Sequence, residues 1–472
     1  FYRFLNAHIF NNTSTREHII KIVIIVITKH PRRFYSNRNV LKLHERGMFE
    51  DMFPNSNEIT KLLVQRPQCV YAGFDPTADS LHVGNLLVLM NLMHWQRAGH
   101  QVIALLGGAT GLIGDPSHRT AERADLSNIV ANENLDSISA NIRTVFENHE
   151  KYFWEGQKDK LKPPKIVNNL NWYKDINVID FMKGVGKHFR LGVMMGRSSV
   201  QSRLNAEGGM SFSEFTYQVF QAYDWLYLFK TENCRFQIGG NDQMGNMISG
   251  HDIIGKLANK NVYALTLPLI TAEGGKKFGK SVNNAVWLSP KKSSSFQLYQ
   301  FFIRSKDSDV EKFLKLFTFL PLGRIEEIMK NHVKAPERRE AQRELAESVT
   351  LLVHGEDGLQ SAKLASAVLY DTSLETLSKM TAEEVVQIFE GAKVSEVMPE
   401  VGLTVHSLAM KIRCFKTDHD ALRIIPAGGF QVNNQKITNP SEVITQNIHV
   451  LPNNLTVVRV GKKHYHIVRW LA

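Results

Sequence analysis

The sequence predicts an α/β fold built on a parallel sheet, and two observations carry that expectation. Strand-type runs at Val70–Phe74, Val102–Leu106 and Arg235–Ile238 each stop at a turn or a glycine-rich segment: Asp75-Pro76-Thr77, Gly107–Pro116 and Gly239–Gln243. Helical segments lie between them. Alternation of strand, helix and glycine turn is what a parallel sheet produces, with its ligands at the carboxyl ends of the strands.

The elements follow in order. Residues 1–43 carry a net +7, with Glu17 their one acid. This leader resembles a mitochondrial transit peptide, and Pro31-Arg32-Arg33-Phe34-Tyr35-Ser36 is similar to a matrix-processing site. The run Ile19–Ile27 is too short for a membrane span, which takes about 20 apolar residues. A secretory segment and upstream translated sequence are the other readings of the leader. After the first strand, Ser80 is expected to cap a helix opening near His82. Leu86, Leu87, Leu89, Met90 and Met93 give that helix an apolar face, and Gly99 sits where it should stop. Residues from about 120 to 230 read as helical, including Leu191–Met195 and Phe212–Phe229. Leu265–Thr271 is strand-like. Pro290 with Lys291–Ser295 reads as a linker, followed by a helix-rich stretch to about residue 395. From residue 398 onward, short alternating strands with Gly428-Gly429 and Asn433-Asn434 predict a small α/β module.

Composition sets bounds. At 472 residues the chain has room for two to four domains, and 43% apolar with 22% charged residues is ordinary for a soluble globular protein. The net charge of +11 is concentrated at the ends, because residues 401–472 carry +6 and residues 44–400 carry −2. The two ends therefore have different work to do. Cys69, Cys234 and Cys414 are widely spaced, odd in number and without a CxxC pair. That argues against a disulfide framework or a Cys-rich zinc site and for a reducing compartment.

Two segments carry the chemistry. Tyr71–Asn85 places Thr77, His82 and Asn85 around Gly84 at the start of an apolar helix. Lys277-Phe-Gly-Lys-Ser281 places two lysines three apart in a glycine-containing loop. Helix N-termini and lysines both favour phosphate oxygens, so the pair reads as two jaws on a polyphosphate. In this order and separation they resemble the HIGH- and KMSKS-type signatures of class I aminoacyl-tRNA synthetases. The blocks Tyr71–Asn85, Gly107–Arg123, Tyr217–Asp224, Gln237–Gly245 and Lys277–Ser281 resemble the tyrosyl enzymes in their bacterial and mitochondrial form. The resemblance spans residues from about 47 to 472.

The resemblance implies an architecture. After a transit peptide at 1–43, it implies a Rossmann-like catalytic domain at 44–288 with a helical insertion at about 125–205. An α-helical anticodon-side domain at 289–397 and a small C-terminal α+β RNA-binding domain at 398–472 follow. It also implies a reaction in the mitochondrial matrix. The tyrosine carboxylate attacks the α-phosphate of ATP, pyrophosphate leaves, and the tyrosyl group passes to the 3′ end of tRNA. Such chemistry needs positioning and charge stabilisation rather than a protein nucleophile.

Roles follow by the same resemblance. Thr77 and His82 hold the γ-phosphate, Gly84 admits the adenine, and Asn85 contacts the ribose where many members have a second His. Lys277 and Lys280 neutralise the β- and γ-phosphates, with Ser281 a minor donor and Gly274, Gly275 and Gly279 loosening the loop. Arg119 and Arg123 either cover the pyrophosphate or pair with Glu122 and Asp125. Tyr71 and Asp224 contact the substrate phenol. Asp115, Tyr217 and Gln221 bind its ammonium, and Asp75 and Gln243 add polar contacts. Asp242 takes the ribose hydroxyls, with Gly240 allowing close approach. The i, i+4, i+7 spacing puts Tyr217, Gln221 and Asp224 on one side of a helix, as a solvated face also would. The pairing with Tyr71 and Asp115 favours a pocket. Lys416, Arg423, Lys436, Lys462 and Lys463 are the candidate tRNA contacts.

The implied partners are tyrosine, ATP, the cognate tRNA and a second copy of the chain, joined through the insertion, with no membrane. ATP brings Mg²⁺ as part of the substrate, and the sequence contains no pattern for a protein metal cage. Two rivals stay open. A tryptophanyl relative shares the reaction class, against which Tyr71 with Asp224 argues. A synthetase-fold RNA-binding protein with a second role, such as intron splicing, is the other.

Overall fold

The computed structural model describes residues 38–117, 127–155, 160–270, 280–281, 284–370, 378, 385, 393–461 and 464–471. The leader up to residue 37, Arg119, Arg123, Gly274, Gly275, Lys277, Gly279, Lys462 and Lys463 lie outside the described residues. The chain divides into two compact units. One runs to Ala285 and takes in Glu311–Glu327. The other comprises Val286–Val310 and Ile328–Ala472.

The first unit is built on a six-stranded sheet. Its strands are β1 (Asp51–Phe53), β2 (Cys69–Phe74), β3 (Gln101–Leu106), β4 (Lys165–Asn168), β5 (Cys234–Gly240) and β6 (Tyr263–Leu267), in the spatial order β1-β6-β5-β2-β3-β4. Strands β2 to β6 run parallel, and β1 alone is antiparallel, against β6. The strands expected near residues 70, 102, 235 and 265 are all present. Two were not foreseen, and both are short edge strands whose side chains are mostly half-buried or exposed, so neither leaves a clear alternation of apolar and polar residues. Strand β4 matters most, because it lies inside the stretch read as helical and puts its carboxyl end beside that of β3.

Helix Val83–Arg97 buries Leu86, Leu87, Leu89, Met90 and Met93 as expected, and Gly99 adopts φ +83° just beyond its end. Its start differs from the expectation. The cap is His82, whose backbone N–H donates to Asn85 Oδ1 at 3.1 Å. Ser80 is buried two residues earlier, with its hydroxyl donating to the Leu81 carbonyl at 2.8 Å and to Asn141 Oδ1 at 3.0 Å. The Asp-Pro-Thr turn carries the chain two residues past the point where a serine cap would serve. Helix Phe212–Glu232 packs with β5 and helix Met244–Ala258 around Trp225, Ile253 and Ile254, and Tyr71 and Ile103 belong to the same core cluster.

A buried arginine also anchors this unit. Arg46 ends the 3-10 helix Val40–Arg46 and donates to the carbonyls of Lys315, Leu320 and Thr318 at 2.8, 2.7 and 2.6 Å. These carbonyls are orphans of the last turn of helix Asp307–Phe317 and the turn after it. Burial lowers the Arg46 guanidinium to about 10.

In the second unit, the segment read as a linker is folded. Ser293 Oγ accepts from the Trp287 N–H at 3.0 Å, and Ser294 forms a reciprocal capping box with Gln297 at the start of helix Ser295–Ile303. Polar composition signalled a loop, but Ser294 satisfies a helix-end donor and Ser293 a donor of the turn before it. Helix Ser295–Ile303 packs on Glu340–Tyr370, which kinks at Gly355 (φ +71°).

The hairpin β7 (Lys280–Ser281) and β8 (Asn284–Ala285) precedes this unit in the chain. The C-terminal sheet comprises β9 (Lys393–Val397), β10 (Phe430–Val432), β11 (Gln435–Ile437), β12 (Leu455–Val460) and β13 (His464–Trp470), in the order β11-β10-β12-β13-β9. Helices Val405–Lys411 and Asp418–Ile424 cover it over a core that includes Val405, Leu408, Ala421, Phe430, Val458 and Val468. This is the α+β module expected from residue 398 onward, with β9 added just before it.

Candidate active site

Four strand ends supply the site. β2 carries Tyr71 and runs into Asp75, β3 runs into Gly107–Thr110, β4 into Asn168 and Asn169, and β5 into Gly239–Gln243. Helix Phe212–Glu232 lays Tyr217 and Asp224 against them. The glycine-rich turn after β3 is glycine-rich for contact reasons. A Cβ on Gly107 would stand 1.9 Å from Asp75 Oδ1, one on Gly108 2.2 Å from Asn168 Oδ1, and one on Gly111 2.5 Å from Pro76 Cδ. Each glycine admits a neighbouring strand end.

Asp224 is the centre. It is 2% exposed and receives three donors: Trp172 Nε1 (2.9 Å) and the Tyr173 hydroxyl (2.8 Å) on Oδ1, and Asn169 Nδ2 (3.0 Å) on Oδ2. Burial pushes its carboxyl up to about 7 and Asp75 adds to the rise, while the three donors hold it down. Tyr71 is buried nearby with its hydroxyl unpartnered. Burial, then the Asp224 charge, drives the Tyr71 phenol well above its usual range, so it stays a donor. An unpartnered buried hydroxyl beside a buried carboxylate is costly unless a ligand completes the set.

The network continues outward. Asn169 is fully buried, accepts from the Ala109 N–H at 2.7 Å, and donates from the same Nδ2 to Thr110 Oγ1 at 3.0 Å. Thr110 donates to Asp75 Oδ1 at 2.8 Å, and Tyr217 donates to Asp75 Oδ2 at 2.8 Å. A second cluster joins β3's turn to β5's. Asp115 Oδ2 accepts from Gln243 Nε2 at 2.6 Å and its Oδ1 from the Ser117 N–H at 3.0 Å. These arrangements present carboxylates and a hydroxyl suited to an ammonium group and a phenol.

At the helix start, the Asn85 oxygen is occupied by the cap, which leaves its amide N–H groups for a ligand. A Cβ on Gly84 would meet the His82 ring at 2.8 Å, so the glycine makes room for the imidazole. A Cβ on Gly240 would meet Asp242 Oδ1 at 2.4 Å, so this glycine makes room for that carboxylate. Thr77 is exposed on the turn, with its backbone N–H on the Asp75 carbonyl.

The structure thus brings Asp75, Asp115, Tyr217, Asp224 and Gln243 into two hydrogen-bonded clusters, with the unpartnered Tyr71 hydroxyl buried near Asp224 and Gln221 half-buried on the same helix as Tyr217 and Asp224. Sequence reasoning missed Thr110, Asn169, Trp172 and Tyr173. A signal existed for the last three: they follow β4, and the carboxyl end of a parallel strand is where ligand groups gather. In the C-terminal module Lys416, Arg423 and Lys436 are exposed, Arg423 paired to Asp420 at 3.3 Å and the Lys436 stem lying over Gly428.

A parallel sheet that carries two hydrogen-bonded acidic clusters at the carboxyl ends of its strands, beside a helix start, defines the class: an α/β protein with its polar site at the strand ends. The family described as class I tRNA synthetases (W and Y) matches residues 64–371. A mitochondrial tyrosine–tRNA ligase of Drosophila melanogaster is 53% identical over 94% of this chain and 97% of its own length. The Homo sapiens mitochondrial tyrosine–tRNA ligase is 45% identical over 90% of each chain. A solved structure, the C-terminally truncated mitochondrial tyrosyl-tRNA synthetase of Aspergillus nidulans, is 32% identical. It covers 73% of this chain and 96% of its own, with a TM-score of 0.65. The chain belongs to the class I tRNA synthetases, and within them to the tyrosine–tRNA ligase family.

Proposed function

We propose that the protein activates tyrosine with ATP to tyrosyl-adenylate and pyrophosphate, then transfers tyrosine to the 3′ end of its cognate tRNA in the mitochondrion. The observation that carries the choice of amino acid is the buried Tyr71 hydroxyl without a partner, next to the buried Asp224 carboxylate. A phenol satisfies both, accepting from Tyr71 and donating to Asp224. An indole or a bare phenyl ring leaves Tyr71 unpaired. In this reading the Asp75–Tyr217 pair, Gln221 and the Asp115–Gln243 pair receive the ammonium and carboxylate ends of the substrate.

Thr77, His82, Gly84, Asn85, Gly240 and Asp242 hold ATP, while Lys277, Lys280 and Ser281 close on its phosphates and Arg119 and Arg123 cover the leaving pyrophosphate. Mg²⁺ arrives on the ATP phosphates as part of the substrate. Among the described residues no group of three His, Cys, Asp or Glu side chains could hold a metal.

Residues 44–288 do the chemistry in this proposal, 289–397 face the anticodon side, and 398–472 grip the tRNA through Lys416, Arg423, Lys436, Lys462 and Lys463. The active form is a homodimer. Val178, Ile179, Met182, Leu191, Val193 and Met195 are exposed apolar residues in one stretch of the insertion, with Phe212 just beyond, which supports a second copy as occupant. Charging of a tyrosine tRNA with radiolabelled tyrosine tests the reaction. Truncation after residue 397 should reduce charging far more than adenylate formation, and equal losses would contradict the assignment of 398–472.

A further inference from the structure

One hydroxyl in the site has more acceptors than it can serve. Tyr173 Oη stands 2.8 Å from Asp224 Oδ1 and also 2.8 Å from the Phe220 carbonyl oxygen. A phenol has one proton, so the two contacts cannot both be donations. Two arrangements resolve this. With Asp224 ionised, Tyr173 donates to Oδ1. With Asp224 protonated, the carboxyl donates to Tyr173 Oη, and Tyr173 turns its own proton to the Phe220 carbonyl. The second arrangement puts a proton in each contact, the first leaves the Tyr173–Phe220 oxygen pair without one, and they differ by one proton on Asp224.

We propose that Tyr173 is a positioning residue for tyrosine selection: with its hydroxyl proton turned to Asp224 Oδ1 it holds Asp224 ionised, as the acceptor to which the substrate phenol donates, and with that proton turned to the Phe220 carbonyl it leaves Asp224 protonated toward Tyr173 and a poorer acceptor. The inference rests on the reading that Asp224 contacts that phenol.

The ring is held for this task. It packs against Phe181, Phe220 and Tyr223, with centroids 6.3, 5.2 and 5.6 Å away, and these contacts fix the direction of the hydroxyl. The other two donors behave differently. The Trp172 indole and the Asn169 amide always present hydrogen to Asp224, whereas a hydroxyl can reverse. The titratable groups facing Asp224 are Tyr71 and Asp75 from β2 and its turn, Tyr173 from the short helix after β4, and Tyr223 from its own helix. None of these is a cation, so donors alone favour the ionised form. Burial of Asp224 brings the two protonation states within reach of each other near neutral pH.

Tyr173→Phe removes the hydroxyl and keeps the ring. Loss of a donor to a charged carboxylate disfavours the charge, so the acidic limb of kcat/KM for tyrosine should move up by about one pH unit. Tyrosine-over-phenylalanine discrimination should fall about tenfold through KM for tyrosine, with KM for ATP unchanged. An unmoved limb with intact discrimination would overturn the inference. Asp224→Asn in the same assay separates the two levels. If it leaves discrimination intact, the phenol-binding reading fails; if discrimination collapses there while Tyr173→Phe is silent, only the role of Tyr173 fails. Tyr173→Leu removes the ring as well. A purely structural role predicts lost thermal stability in Tyr173→Leu and no limb shift in either variant.

Discussion

Asn169 and Asp224 are joined by a 3.0 Å hydrogen bond between two fully buried side chains from different layers of the fold. The same amide nitrogen reaches Thr110, and through it Asp75 and Tyr217. One asparagine therefore ties the phenol end of the pocket to its ammonium end. Asn169→Ala should raise KM for tyrosine by about 30-fold, as expected for a loss near 2 kcal/mol when a buried carboxylate loses a donor. Steady-state adenylate formation at varied tyrosine checks this, and an unchanged KM would contradict the link.

The raised Asp224 carboxyl makes a stability prediction. Its folded value of about 7 exceeds the unfolded value, so the folded state holds the proton longer. Stability from this group is present at acid pH and lost as pH rises from about 4 through about 7, on the order of 4 kcal/mol in all. Denaturation of the tyrosine-free protein should therefore show a steeper fall in stability across this window than Asp224→Asn does. Parallel slopes would count against the buried, raised carboxyl.

Gly107 leaves room for Asp75, since a Cβ there would lie 1.9 Å from its carboxylate. Gly107→Ala should displace Asp75 from Thr110 and weaken tyrosine binding about tenfold or more, the worth of one charge-assisted hydrogen bond. Tyrosine titration by intrinsic fluorescence reads the loss.

Arg46 holds the carbonyls of Leu314, Lys315, Thr318 and Leu320 at the end of helix Asp307–Phe317 and the following turn. Arg46→Ala should cost about 3 kcal/mol of stability, because the buried carbonyls are left unpaired. Chemical denaturation measures it, and KM for tyrosine should stay at the parent value.

Much of this site was legible in the sequence because its signals are local. A strand ending in Asp-Pro-Thr, a glycine-dense turn and a helix with Tyr217, Gln221 and Asp224 at i, i+4 and i+7 all declare themselves within a few residues. What was not legible is non-local. Asn169, Trp172 and Tyr173 gain meaning only once β4 pairs with β3, and four half-buried residues give β4 too weak a pattern to announce it. Ser80 and Ser294 show the same limit in reverse. Both look like helix caps or linker residues by type, yet position alone makes Ser294 the cap and puts Ser80 inside the fold. Gly84 and Gly240 also leave room for the His82 ring and the Asp242 carboxylate, contacts that only the folded chain displays.

Amino-acid-dependent ATP–pyrophosphate exchange tests the central claim most directly. Exchange should appear with tyrosine and be weaker by at least about 100-fold with phenylalanine, because the latter leaves the buried Tyr71 hydroxyl unpaired and gives Asp224 no phenol donor. Exchange driven by tryptophan, or none with tyrosine while RNA binding persists, would contradict the account.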